Sequence, residues 1–264
     1  MKCADKKGRT LTAEKSASGG ATPLDFPSPD VSDFVLPGEP VGLIPRARLE
    51  SGLIVTIESL VPPPVGEVDQ IRLQYARKNS DEWTTLDERV VVGEPEGWKP
   101  QDFTIPSTFL VSAENEGAFE LRYEHLHWAG NDSISPSVRI HIDKVPPNGA
   151  FAPERMVFDF SSPITDATFG EHDYLEARIP PWAGDQVDVQ VKFAWLKAEL
   201  PEGPGDVVQI GPFPITPYGT VRIPKAQVIA AGNGRCCGIY VLIDKAGNIS
   251  RYSKYQLMDV ALNQ

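Results

Sequence analysis

The sequence is poor in cysteine and in long apolar runs, and both shortages exclude classes of protein. Its 264 residues include three cysteines, of which Cys236 and Cys237 are adjacent, so no disulfide framework is expected. We expect one of this pair to face the core and the other to face outward. No stretch approaches 18 consecutive apolar residues, and the sequence therefore predicts no membrane-spanning segment.

Acidic residues outnumber basic residues in the chain. The formal net charge is -11 and the pI is about 4.9, whereas a nucleic-acid surface requires a clustered basic patch. The first residues, MKCADKKGRTLTAEK, are charged and are not followed by an apolar segment, so the sequence shows no signal peptide. We expect no nucleic-acid partner.

Motifs for catalysis are lacking as well. The sequence contains no phosphate-binding loop, no Gly-x-Ser-x-Gly elbow and no Cys-x-x-Cys pair. Its carboxylates do not recur at a spacing that would bring a general acid and a general base together. We therefore expect that the protein is not an enzyme and uses no cofactor.

Turn-forming residues, in contrast, are plentiful. The chain has 25 prolines and 22 glycines, and no long segment has the period of an amphipathic helix. Apolar residues alternate in short runs between these turn residues, which is typical of β-strands. The composition predicts an all-β protein.

An internal repeat organises these strands. Of the three Ala-Gly-Asn tripeptides in the chain, the two that end at Asn131 and Asn248 each follow an alternating apolar run. At an offset of 118 residues, VPPPVG (61–66) lies over IPPWAG (179–184), and FTIP (103–106) lies over VRIP (221–224). Such a long period indicates tandem units that are each a whole domain.

The repeat predicts the domain organisation. We expect two tandem immunoglobulin-like β-sandwich domains, residues 34–146 and 147–264, preceded by a flexible N-terminal arm, residues 1–33. The boundary lies in a Pro-Pro-Asn-Gly cluster with the composition of a linker. Each of these two segments is predicted to form the tip of the last hairpin of its domain, where glycine and asparagine tolerate a positive φ and Gly130 and Gly247 occupy positions that are costly for a Cβ.

Several of these segments resemble a known family. ARIPPWAGDQVDVQVKFAW (177–195), VRIP (221–224) and IDKAGNIS (243–250) resemble the tandem immunoglobulin-like repeats of large surface or secreted proteins of Gram-negative bacteria. The first copy departs from that pattern, with Tyr75 in place of a tryptophan and Leu126-His127 in place of Ile-Asp. The resemblance implies an adhesin-like or stalk-like protein at the cell surface or outside the cell, and it brings no catalytic residues.

We therefore expect a structural or adhesion module that serves as a spacer or binding segment. An alternative is a module that recognises a glycan or protein receptor through loops of the first domain. Trp83, Trp98 and Trp128 are the candidate ligand-binding residues, because the second copy has no tryptophan at the matching positions. Trp98 lies in a polar loop, GEPEGWKPQ, which favours exposure.

A further alternative is a metal site. His125 and His127 lie two residues apart on one strand and so share a face. If the hairpin is centred near Asp132, His141 returns to that face, and three imidazoles suit zinc or copper.

The sequence leaves two further possibilities open, a calcium site near the linker and glycosylation. Asp143, Asn148 and Glu154 near the linker offer oxygen ligands for calcium. Asn131 and Asn248 both satisfy the Asn-x-Ser pattern of glycosylation, although turn formation already accounts for both.

Overall fold

A computed structural model describes residues 26–58, 60–184, 186–198 and 210–263 of the chain. Most of the predicted N-terminal arm, residues 1–25, lies outside the described residues, and so does Cys3. The described part consists almost entirely of short antiparallel strands. Its predicted all-β fold is confirmed.

In the first half, seven strands form two sheets. The strands are β1 (Leu53–Ile57), β2 (Val68–Arg77), β3 (Thr84–Val92), β4 (Gln101–Ile105), β5 (Gly117–Leu126), β6 (Asp132–Ile134) and β7 (Val138–Ile142), with a 3-10 turn at Arg46–Arg48 and a short helix α1 (Ser107–Val111). β1 pairs with β4, and the facing sheet has the order β3-β2-β5, with β6 and β7 both paired to β5.

The second half has the same arrangement. Its elements are α2 (Asp166–Phe169), β8 (Tyr174–Arg178), β9 (Gln190–Lys197), β10 (Ile210–Pro214), β11 (Thr220–Pro224), α3 (Lys225–Ala231), β12 (Gly234–Ile243) and β13 (Gln256–Val260). β8 pairs with β11, and the facing sheet has the order β10-β9-β12-β13. This order corresponds strand for strand to β3-β2-β5-β7.

Alternation of apolar and polar residues explains where the two cores lie. In β1, for example, Leu53, Val55 and Ile57 point inward, whereas the two residues between them are exposed or partly exposed. The buried apolar residues between positions 31 and 142 form one cluster, and a second cluster lies between positions 156 and 262. Each cluster fills the space between a two-stranded sheet and the larger sheet that faces it, which is the arrangement of a β-sandwich.

The Ala-Gly-Asn segments that end at Asn131 and Asn248 form tight turns, as predicted. Gly130 has φ 79° and Gly247 has φ 93°, a region that is costly for a residue with a Cβ. The amide of Gly130 donates to the carbonyl oxygen of His127, and the amide of Gly247 donates to that of Asp244. The asparagine after each glycine does not share the positive φ.

The adjacent cysteines are both buried, so the prediction that one of them faces outward was wrong. Cys236 joins the core of the second half. Cys237 points to the other face of the sheet, where it packs with Ile239 beneath Leu196 and Tyr252. Burial raises the pKa of both thiols, which disfavours the reactive thiolate.

The two strands at corresponding sheet edges differ in composition. β3 spans nine residues without proline, and Val90 and Val92 are exposed on it. β10 spans five residues and contains Pro212 and Pro214. Proline has no amide hydrogen to donate, so β10 is a poor template for a further strand.

Candidate functional site

The tip of the second Ala-Gly-Asn hairpin lies against the first half of the chain. The amide of Arg46 donates to the carbonyl oxygen of Ala246 over 2.7 Å. The ammonium group of Lys245 donates to the carbonyl oxygen of Glu39 over 2.6 Å. These two bonds join the backbone of the first half to the turn whose positive φ is supplied by Gly247. We call this contact the junction.

Asn248 is the most buried polar residue of the junction, with 4% of its surface exposed. Its side-chain Nδ2 donates to the carbonyl oxygen of Asp143 over 3.1 Å and to Oδ2 of Asp244 over 2.9 Å. Its backbone amide donates to Oδ1 of Asp244 over 2.8 Å. One amide side chain therefore bridges the two halves, and its Oδ1 has no hydrogen-bond partner within the described part of the chain.

The environment of Asp244 is unfavourable for a charge. Burial raises the pKa of its carboxyl group, the hydrogen bonds from Asn248 oppose this shift, and the negative charge of Asp143 adds to it. A buried carboxylate is stable only when donors satisfy it. Asn248 supplies two of those donors, its side-chain amide and its backbone amide. The junction therefore depends on Asn248 both for the bond to Asp143 and for the stability of the buried Asp244.

The structure does not gather the residues predicted to bind calcium. Oδ1 of Asp143 accepts the amide of Val145 at 3.0 Å. Oδ1 of Asn148 accepts the amide of Ala183 at 3.1 Å, and Glu154 forms an ion pair with a lysine of the second half. Among the residues that the structure describes, no group of three or more His, Cys, Asp or Glu side chains is arranged to hold a metal ion.

Asn131 and Asn248 differ as glycosylation acceptors. Nδ2 of Asn248 is buried and already donates twice, so a glycan has no access to it. Asn131 is exposed at the tip of its hairpin.

The predicted histidine cluster is incomplete, because the assumed strand register was wrong. Leu126 pairs with Asp132, which centres the turn on Ala129 rather than near Asp132. His141 on β7 consequently pairs with Ala118, seven positions along β5 from His125. That separation is about 23 Å at the rise of a strand, too far for a shared metal ion.

His125 instead has a partner that the sequence did not suggest. Its Nε2 lies 2.6 Å from Oδ2 of Asp69, and both side chains are almost fully buried. The other carboxylate oxygen, Oδ1, accepts the amide of Trp128 over 2.8 Å. Asp69 is the first of three inward-facing residues of β2, followed by Ile71 and Leu73. A carboxylate among inward-facing apolar residues is the sequence feature that could have indicated a buried polar partner.

A small cavity of about 140 Å³ adjoins His125. Its polar lining comprises His125, His127, Asn131 and Ser133, and its apolar lining comprises Phe26 and Val61. The imidazole rings of His125 and His127 are nearly perpendicular, with their centroids 5.7 Å apart. The structure thus brings together two of the three predicted histidines.

The three candidate tryptophans occupy different environments. The guanidinium carbon of Arg122 lies 3.8 Å from the centroid of the Trp83 ring. Nε1 of Trp98 donates to the carbonyl oxygen of Glu58 over 2.9 Å, and its ring packs against the first core. Trp128, at the hairpin tip, is 46% exposed.

They do not form one aromatic platform. Trp83 precedes β3 and Trp98 follows it, so the two indoles lie at opposite ends of a strand about 30 Å long. Trp98 lines a groove of about 260 Å³ together with Glu94, Lys99 and Gln101. In this groove, a predicted tryptophan and several hydrogen-bonding side chains share one cavity.

Comparisons with known proteins give no family. No protein-family model matches the chain, and no curated protein matches it. Similar solved structures include chicken CNTN1 domains FN1–FN3, with 11% identity, a TM-score of 0.38, 89% of this chain covered and 67% of the other. Fibronectin(III)-like modules of Clostridium thermocellum CbhA share 13% identity at a TM-score of 0.38, with 85% of this chain and 92% of that chain covered.

A third similar structure is that of a bacterial ice-binding adhesin. It has 11% identity and a TM-score of 0.39, with 84% of this chain and 61% of that chain covered. Within the described residues of the present chain, no helix has the length and apolar character needed to cross a membrane.

Proposed function

We propose that this chain is a non-enzymatic structural module, a spacer or adhesion segment of a bacterial surface or secreted protein. In this proposal, residues 34–146 and 147–264 are two tandem immunoglobulin-like domains, each with its own core. Support for the division comes from the two apolar clusters, which draw on separate parts of the chain. A spacer works by keeping its length and shape, so its domains must not swing freely.

The observation that carries the proposal is the junction. Tandem domains with few contacts across their linker move relative to one another by default. Here the bonds of Arg46, Lys245 and Asn248 tie the second Ala-Gly-Asn hairpin to the first half. Because all three bonds are accepted by backbone carbonyl oxygens and Asn248 is buried, the junction resists bending.

Distance measurement between two spin labels tests this rigidity. Labels are placed at the exposed positions Thr84 and Thr220, on Thr→Cys substitutions in a Cys3→Ser background, while Cys236 and Cys237 stay buried and unlabelled. We expect one narrow distance distribution in the wild-type junction. A broad distribution would contradict the proposed spacer function.

The same experiment with two further variants assigns the rigidity to the junction. Asn248→Ala removes the side chain that bridges the halves and should broaden the distribution. Asn131→Ala, at the matching position of the first hairpin, is the control and should leave it narrow, because Asn131 is exposed.

We propose recognition of a glycan as a second function, at the groove lined by Trp98. Sugars stack on aromatic faces and bond to the kind of side chains that Glu94, Lys99 and Gln101 offer there. A glycan array followed by titration tests it. Saturable binding should disappear in Trp98→Ala and persist in Trp83→Ala, whereas the absence of binding in the wild type, or binding that survives Trp98→Ala, contradicts it.

A further inference from the structure

We propose that His125 and His127 bind a divalent transition-metal ion of the Zn²⁺, Ni²⁺ or Cu²⁺ class in the cavity at the tip of the first hairpin. Asp69 acts as a positioning residue for His125. The site shares no lining residue with the groove of Trp98 and no residue with the junction, and it goes beyond both proposed functions.

The spacing of the two imidazoles suits one shared ion. A bound metal lies about 2.0–2.1 Å from an imidazole nitrogen, which puts it about 3.2 Å from the ring centroid. Two rings on one tetrahedral or trigonal ion therefore have centroids about 5 to 6 Å apart. The centroids of His125 and His127 are 5.7 Å apart, and both rings line the cavity.

The contact of His125 with Asp69 is the one that metal-binding histidines usually make. Such a histidine donates its second ring nitrogen to a carboxylate, which holds the ring and increases its basicity. Asp69 occupies Nε2 of His125 and leaves Nδ1 for the ion. Asp69 is held in turn by the amide of Trp128, so the carboxylate cannot easily rotate away.

The sandwich itself does not require this polar pair. In the second half, Leu242 pairs with Val191 as His125 pairs with Ile71, and Val189 stands two residues before Val191. All three residues of the second half are buried and apolar. Because burying polar side chains costs free energy that apolar residues avoid, the presence of this pair in the first half favours a role other than packing.

The geometry also limits the site. Among the described residues, no third His, Cys, Asp or Glu completes a ligand set. Water and the side-chain oxygens of Asn131 and Ser133, which line the same cavity, are the remaining ligands. The ion is therefore expected to bind in an open site with exchangeable positions rather than as a structural zinc.

Copper titration of the untagged full-length chain tests the proposal, in a Cys3→Ser background that removes one competing thiol. We expect one equivalent of Cu²⁺ to bind, with an electron paramagnetic resonance spectrum that shows coupling to two imidazole nitrogens. His127→Ala should lose one of these couplings and weaken binding at least about tenfold. His172→Ala, which removes an exposed histidine of the second half, should change neither.

Asp69→Asn separates a positioning role from a purely structural one. We expect weaker copper binding with both nitrogen couplings retained, because the ligands remain but the ring is held less firmly. A chain without metal is compared for each variant, and equal unfolding midpoints show that the fold is intact. No copper binding in the wild type, or full binding by His127→Ala, would overturn the proposal.

Discussion

The bridging role of Asn248 leads to a prediction that the structure allows to be worked out in energy. Asn248→Ala removes two side-chain hydrogen bonds, one to the carboxylate of Asp244 and one to the carbonyl oxygen of Asp143. It also removes Oδ1, which is buried without a partner. The first two losses destabilise the folded chain, and the third change stabilises it.

The magnitudes decide the sign. A hydrogen bond to a charged group contributes about 1.5–3 kcal/mol, and one to a neutral carbonyl contributes about 1 kcal/mol. Removing a buried unpaired acceptor recovers about 1–2 kcal/mol. The net effect is a loss of about 0.5–3 kcal/mol in the free energy of unfolding. Asn131→Ala should stay within about 0.5 kcal/mol, because that side chain is exposed.

Urea unfolding measures the free energy of unfolding of Asn248→Ala and of Asn131→Ala. Hydrogen exchange followed by mass spectrometry shows which parts of the chain each substitution destabilises. In Asn248→Ala we expect faster exchange in the turn around Asp244 and at Asp143. If Asn248→Ala and Asn131→Ala cost the same, the bond across the junction does not stabilise the chain and the reasoning is refuted.

Three further predictions follow from the described structure. A Cβ at Gly93 would lie 2.0 Å from the carbonyl oxygen of Pro64, so Gly93→Ala should lower the unfolding free energy of the first half by about 3 kcal/mol or more, measured in urea. Because the pKa of Asp244 is raised from 3.8 in the folded chain, its contribution to stability is complete below pH 3.8 and is lost as the pH rises through the folded value. Wild-type stability should therefore fall with rising pH relative to Asp244→Asn, and parallel pH profiles would contradict this. Residues 34–146 and 147–264, expressed separately, should each unfold cooperatively, and failure of both would contradict the division into two domains.

Local pattern was sufficient for much of the fold. Alternating apolar residues placed strands such as β2 and β5, and the glycines of the two Ala-Gly-Asn segments predicted tight turns that the structure contains. These features depend on residues close together in the chain, and so the sequence carries them directly.

Register and long-range bonding were beyond that reasoning. The predicted hairpin turned near Asp132 instead of Ala129, and an error of three residues was enough to bring His141 to the wrong place. The bond of Asn248 to Asp143 spans 105 positions, and no local pattern indicates it. Asp69 could have been noticed as a polar residue in an inward row, but its partner could not have been identified without the sheet register.

The different edges of the two larger sheets affect how copies of this protein can associate. β3 pairs with β2 alone, whereas Pro212 and Pro214 interrupt the amide row of β10. If β3 strands from two copies pair antiparallel about a twofold axis, the contact consumes both edges and stops at a dimer. β10, the corresponding edge in the sheet of the second half, is a poor template for the same pairing because of its two prolines. At these two edges, strand addition therefore ends at a dimer, and growth beyond it requires contacts of another kind.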